Sequence, residues 1–287
     1  MKNSQVIRFW PLWITQTKVM RKFLRHRFFR NILGTLGPKF IIYETSVGKY
    51  YCNLLEHMNV GHFFLKDGHY EPYVTQLMLE YTREPGDVLD IGANIGYFSI
   101  LCSKRTGGKV YSIEPEPTNY SLLQQNINLN QSQNVISFNV AANNSSGEIS
   151  FYVNSKNKGD HRCSQLDKNL SKIIKVEGKR IDQVLTKEEF NRVRVIKIDV
   201  QGYEKKVCEG MEDYLRNAKD LKIISEFVVD LMVEAGDAPI QYLQFMLDNG
   251  FNMWILDDDR CSLISASINE VLIWARDHRV SNLLFVK

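Results

Sequence analysis

The stretch Asp87-Val-Leu-Asp90-Ile-Gly92-Ala-Asn94-Ile-Gly96-Tyr97-Phe-Ser constrains this chain more than any other. It is an apolar run ending in an acid, then a turn with two glycines, then a helix-forming pattern. That order describes a strand, turn and helix at the carboxyl edge of an open α/β sheet, where Gly92 and Gly96 let backbone approach a ligand. Glu114 ends the next apolar run, 22 residues after Gly92, and a carboxylate there can accept both hydroxyls of a ribose. Together these features point to an adenosine cofactor, either a dinucleotide or S-adenosylmethionine. The dinucleotide fingerprint G-x-G-x-x-G would put glycine where Asn94 and Tyr97 stand, and both substitutions remove room that a pyrophosphate needs. S-adenosylmethionine has no phosphate, and its charged amino acid end suits Asp90 and the amide of Asn94.

From about residue 86 strand-like apolar runs alternate with helical patterns, which predicts a sheet covered by helices on both faces. Strands are expected at 87–91, 110–113, 135–141, 193–200 and 221–227, with further strands at 148–153, 252–256 and 283–286. Helices are expected at 96–104, 118–128, 204–217, 239–249 and 268–276. The polar interval 154–179 reads as an inserted loop over one sheet edge. Asn139 to Ala142, at the end of the third strand, are the positions expected beside an adenine ring, Asn139 and Ala141 foremost. Tyr70-Glu71-Pro-Tyr73 precedes a helix and could cover the amino acid end of the cofactor, with Glu71 as the contact; Pro72 fits a helix start equally well.

A second constellation is Val195-Ile-Lys197-Ile-Asp199-Val-Gln201-Gly202-Tyr-Glu204. Two-residue alternation puts Lys197 and Asp199 on one face of a buried strand. Charges there are costly unless paired or functional. Either the pair braces the sheet or Asp199, at the carboxyl end, acts on the transferred group. The chain has no Asn/Asp-Pro-Pro-Tyr turn, which disfavours methylation of an exocyclic base nitrogen.

Charge is uneven along the 287 residues: residues 1–40 carry nine Lys/Arg and no acid, and the remainder holds 27 basic against 33 acidic residues. An acidic body argues against nucleic acid as partner. In the tail Lys18, Arg21, Lys22 and Arg25 share one helical face and Val19, Met20, Phe23 and Leu24 another, with Trp10 and Trp13 nearby. Peripheral membrane contact through residues 1–40, packing on the chain's own domain, or contact with a second copy all fit this pattern. Five scattered cysteines form no C-x-x-C pair and no zinc spacing, which indicates a reducing, cytoplasmic setting and no metal site.

Four motifs, Asp90-Ile-Gly-Ala-Asn-Ile-Gly96, Glu114-Pro-Glu-Pro117, Leu123-x-x-Asn126-x-x-Leu129-Asn130 and Lys197-Ile-Asp-Val-x-Gly-x-Glu204, resemble those of the FkbM-type methyltransferase family. Gly159-Asp-His161-Arg, Arg180-Ile-Asp182 and Ser225-Glu226-Phe227 strengthen the resemblance, which runs over about residues 60 to 287. It implies a Rossmann-like class I methyltransferase fold, an α/β seven-stranded mostly parallel sheet in the order 3-2-1-4-5-7-6. It also implies S-adenosylmethionine as donor, S-adenosylhomocysteine as product, and O-methylation of a glycan, lipid-linked sugar or polyketide-like acceptor. The domain should occupy 61–287, with 1–60 as an extension. The family usually shows Glu where Gln201 stands. Candidates for the catalytic groups are His161, Asp199 and Glu226, with Lys197 paired to one of the acids; a divalent metal held by Asp199 and Glu226 lacks ligand spacing. Two other functions fit the residues less well: a cofactor-binding protein without catalysis, for which Gln201 is the hint, and an RNA methyltransferase using the basic tail.

Overall fold

The computed structural model describes residues 40–53, 70–154, 171–278 and 281–287. The chain enters through a hairpin, β1 (Phe40–Glu44) and β2 (Lys49–Asn53), then helix α1 (Pro72–Tyr81). There follow β3 (Asp87–Ile91), α2 (Tyr97–Ser103), β4 (Val110–Ile113), α3 (Pro117–Leu129) and β5 (Val135–Phe138). Next come β6 (Ala141–Ala142), β7 (Gly147–Asn154), β8 (Ser171–Lys179), and short helices α4 (Ile181–Val184) and α5 (Lys187–Phe190). The second half runs β9 (Val193–Ile198), α6 (Glu204–Glu209), α7 (Glu212–Asn217), β10 (Lys222–Phe227), α8 (Val229–Glu234) and α9 (Pro239–Asp248). It ends with β11 (Asn252–Asp257), β12 (Ser262–Ser265), α10 (Ile268–Asp277) and β13 (Ser281–Val286).

Eight strands form the central sheet in the order β12-β11-β13-β10-β9-β3-β4-β5. Counting from β3 and leaving out β12, this is the expected order, with β12 added antiparallel at the β11 edge. The run from β5 to β10 is parallel, and β13 inserts antiparallel between β10 and β11. All five residues of β3 are buried, as a strand covered on both faces requires. Leu89, Ile91, Ile196, Ile198 and Ile223 face one layer of the core, and Val88, Val195 and Ile224 face the other. The chain leaves β3 outward through β4 and β5 and returns to β9 on the other side. The crevice at the carboxyl ends of β3 and β9 is therefore the topological switch point where open α/β sheets bind ligands.

The structure corrects three sequence expectations. The interval 154–179 is not a loop throughout: Ser171–Lys179 pairs antiparallel with Gly147–Asn154 and parallel with Ala141–Ala142 in a separate three-stranded sheet. The strand expected at 135–141 ends at Phe138, and Ala141 joins that second sheet. The helix expected at 204–217 divides at Met211, whose φ of −138° ends the helical path. The hairpin at 40–53, within the stretch expected as an extension, packs Tyr43, Tyr50 and Cys52 into the same core layer as α1 and α2. The basic tail lies outside the described residues, and among those described no helix is long and apolar enough to cross a membrane.

Candidate active site

A cleft with about 900 Å³ of open volume, mouth included, lies at the switch point. Asp90, Gly92, Asn94, Glu114, Lys197 and Asp199 all line it. The turn after β3 takes positive φ at Gly92 (83°), Asn94 (52°) and Gly96 (89°). A Cβ on Gly92 would collide with the Asp199 carbonyl, and one on Gly96 with Leu123 of α3. Both glycines are thus required by chain conformation and by packing against β9 and α3.

Asp90 is buried at 2% exposure, and its Oδ2 accepts a hydrogen bond of 2.5 Å from Ser99. Burial pushes its carboxyl up to about 6, against the pull of the Ser99 hydroxyl. Glu114 Oε2 accepts from the Asn94 amide at 2.8 Å and Oε1 from the Glu116 amide at 2.9 Å. Burial nevertheless raises it to about 8. Each oxygen keeps acceptor capacity for one further donor. Asn94 Oδ1 is buried with no partner among the described residues. Asn139 is exposed, spends its amide on the Glu114 and Pro115 carbonyls, at 2.8 and 3.0 Å, and does not itself line the cleft. Ala141 and Ala142 do line it, as do Asn119 and Phe151, which no spacing in the sequence marks. Tyr70, Tyr97 and Phe98 form an aromatic wall, with ring centroids 5.1–6.0 Å apart.

An ionic cluster adjoins these rings, with Lys197 Nζ 5.5 Å from the Phe98 ring centroid. Strand register sets Asp90 beside Lys197 on β9 and Ile224 on its other side. Lys197 is 1% exposed, with Nζ 3.7 Å from Asp199 Oδ2 and 3.9 Å from Glu71 Oε2. It makes no hydrogen bond within the described residues. Burial alone would lower its pKa; Glu71, Asp199, Glu226 and Asp90 more than offset this and raise it, so it stays an ammonium. Burial raises Glu71, with Lys197 opposing. Glu226 is also raised, by burial and then by Asp199 and Glu204. Gln201, at φ 54°, gives Nε2 to Asp199 Oδ1 at 2.9 Å and to Glu226 Oε2 at 2.6 Å. An amide at this position bridges two acids, where a third carboxylate would face both.

The fold thus brings Lys197, Asp199, Glu226 and Glu71 into one cluster. Glu71 lies against Lys197, at the start of α1. His161 lies outside the described residues. The Arg180–Asp182 motif is a strut, a two-point ion pair whose guanidinium also donates to the Asn144 carbonyl at 3.0 Å.

An open parallel sheet in this order, with a glycine turn after its first strand and a carboxylate closing its second, is the class I methyltransferase fold. The model of the methyltransferase FkbM domain matches residues 90–253, more than half the chain, and the chain belongs to that family. The hexuronic acid methyltransferase AglP of Haloferax volcanii is 30% identical over 154 residues, 53% of this chain and 61% of that protein. Methyltransferase 1 of Beauveria bassiana is 25% identical over 169 residues, 52% of this chain and 66% of that protein. Both matches therefore span less than two thirds of the relative. The crystal structure of methyltransferase FkbM from Methylobacillus flagellatus is 14% identical, with TM-score 0.43, covering 71% of this chain and 44% of that one. The family's cofactor is S-adenosylmethionine. The cleft fits it: an ammonium and ribose hydroxyls are donors, and the cleft offers the unpartnered Asn94 Oδ1 and the two Glu114 oxygens.

Proposed function

We propose that the protein is an S-adenosylmethionine-dependent O-methyltransferase acting on a hydroxyl of a glycan, lipid-linked sugar or polyketide-like small molecule. The observation that carries this reading is the Lys197 ammonium beside the Asp199 carboxylate, 3.7 Å apart and not hydrogen bonded to each other, on the wall of the cleft. A hydroxyl acceptor needs a base for its proton and a cation for the charge that builds on its oxygen. Asp199 takes the proton, and Lys197 stabilises the oxygen as its lone pair becomes available. Gln201 holds Asp199 through the oxygen that does not face Lys197. Asp90 and Asn94 hold the amino acid end of the cofactor, Glu114 the ribose hydroxyls, and Ala141 and Ala142 flank the adenine. The bound cofactor supplies an electrophilic methyl group. A sugar stands first among acceptors because one relative is named for a hexuronic acid. A lipid-linked sugar adds the expectation that the full chain floats with liposomes.

Calorimetric titration with S-adenosylmethionine and S-adenosylhomocysteine tests the cofactor half, and mass spectrometry of hydroxylated glycans and lipids incubated with donor tests the acceptor half. Micromolar binding, lost in Asp90→Ala and Glu114→Ala, and a gain of one methyl group on a hydroxyl, are expected. A folded wild type that binds neither compound overturns the reading. Binding without methylation across hydroxyl acceptors would make it a cofactor-binding protein.

A further inference from the structure

Asn126, in the last turn of α3, and Asn130, the residue that caps its C-terminus, lie four residues apart and so share one helical face. Each uses its side-chain amide as a peptide group would, accepting from and donating to the backbone of a single residue of β2. Asn126 Oδ1 accepts from the Tyr51 N–H at 2.7 Å, and its Nδ2 donates to the Tyr51 carbonyl at 3.2 Å. Asn130 does the same with Lys49, at 2.9 and 2.6 Å. Four residues of helix rise about 6 Å, and two residues of strand about 6.7 Å, which lets two helical side chains ladder alternate residues of a strand edge. The β2 edge that β1 leaves unpaired is satisfied in this way.

The two asparagines differ in their remaining bonds, and Asn130 Oδ1 also accepts from Lys104 Nζ at 3.1 Å. Asn130 donates its second hydrogen to the Asn126 carbonyl, within its own helix, at 2.9 Å. Asn126 donates its own to the Ile95 carbonyl at 2.8 Å, inside the turn that carries Gly92, Asn94 and Gly96. Asn126 is fully buried. One hinge further on, the buried Tyr50 lies 5.2 Å from the Tyr97 ring, and its hydroxyl donates to the Tyr97 carbonyl at 3.3 Å. The hairpin is therefore linked to the turn through Asn126 at Ile95 and bonds directly to Tyr97, the first residue of α2.

We propose that Asn126 is a positioning residue that fixes the backbone of the cofactor turn by tying it to the hairpin, making residues 40–53 part of the cofactor site. This rests on the reading that the turn after β3 holds S-adenosylmethionine. Asn126 touches no reacting atom in this scheme and acts through the Ile95 carbonyl.

The test compares Asn126→Ser and Asn130→Ala in the full chain, with S-adenosylhomocysteine as probe. Asn130→Ala should speed amide exchange at residues 49–51 and leave the dissociation constant within twofold of wild type. Asn126→Ser should speed exchange at residues 92–97 as well and weaken binding about tenfold or more. Equal binding by Asn126→Ser and wild type, or equal losses in both variants, would overturn the proposal. Should Asn126→Ser fail to fold, the wild type decides: S-adenosylhomocysteine should slow exchange at residues 49–53 along with 92–97. Protection confined to 92–97 would overturn it. A wild type that does not bind S-adenosylhomocysteine would fail the function reading instead, a distinguishable result.

Discussion

The two walls of the cleft are built on different terms. On the side of Asp90 and Glu114 the carboxylates are held by short hydrogen bonds from Ser99, the Asn94 amide and the Glu116 amide, so their positions are set before any ligand arrives. On the side of Lys197 the charges of Glu71 and Asp199 face the ammonium at 3.9 and 3.7 Å without a hydrogen bond. Gln201 ties Asp199 to Glu226 there, at 2.9 and 2.6 Å, but only charge links the acids to the ammonium, and Lys197 Nζ keeps its donor capacity. Under the proposed function the contrast divides the labour, with the first group binding the cofactor and the second handling proton and charge transfer.

The sharpest way to break that division is Asp199→Asn, which keeps an oxygen to accept from Gln201. Methyl transfer should fall about 10²–10⁴-fold while S-adenosylhomocysteine affinity changes less than threefold. Equal loss of both would put Asp199 on the binding wall. Lys197→Met leaves Glu71 and Asp199 facing each other with no cation. Denaturant unfolding should show a loss of about 3 kcal/mol, and a loss below about 1 kcal/mol would mean solvent already screens the cluster.

A pH experiment probes the floor of the same wall. Glu204 is 1% exposed, accepts from the Gly202 amide at 3.1 Å, and is pushed by burial to about 7. Its folded value lies above the unfolded one near 4.5, so between them the native protein keeps a proton that the unfolded chain has released. Its contribution is full below the unfolded value and is lost as pH rises through about 7. Glu204→Gln should therefore flatten the decline in stability between pH 5 and 8 by about 2 kcal/mol; an unchanged slope in urea midpoints would remove Glu204 as its source.

On the binding wall, Glu114→Gln turns an amide nitrogen toward one backbone N–H, and S-adenosylhomocysteine affinity should drop about tenfold, near 1.4 kcal/mol. Calorimetry showing wild-type affinity would take the ribose contact away from Glu114. The smallest effect belongs to Asn139→Ala: about 1 kcal/mol of stability at most, from two carbonyl hydrogen bonds, with affinity within twofold. A larger loss of affinity would restore Asn139 to the adenine side.

Much of this was legible in the chain because β3 and β9 are apolar runs broken by a few charges, and charges inside such runs stand out. That glycine stands at 92 and 96 for close approach was legible too, but what approaches was not: a Cβ there would meet the Asp199 carbonyl and the Leu123 side chain, at 107 and 27 residues' separation. The β1–β2 hairpin carries no marked alternation, and its unpaired edge is satisfied by asparagines 75 and 81 residues away. Those asparagines were visible as a motif, yet a motif does not name its partner. In the same way Asn139 stood at the right strand end, but its amide had nearer carbonyls to satisfy.

What the sequence by itself determined is the order of the main strands and helices of the central sheet, the acids near the ends of β3 and β4, and Lys197 in a buried strand with Asp199 two residues on, at its carboxyl end. These follow from periodicity, from the cost of burying apolar runs in water, and from two-residue alternation. Only the tertiary structure decided which acids share that lysine. The energy of a buried charge depends on neighbours within a few ångströms, and here Asp90 comes by sheet register while Glu71 reaches in from the start of α1, 126 residues away in the chain.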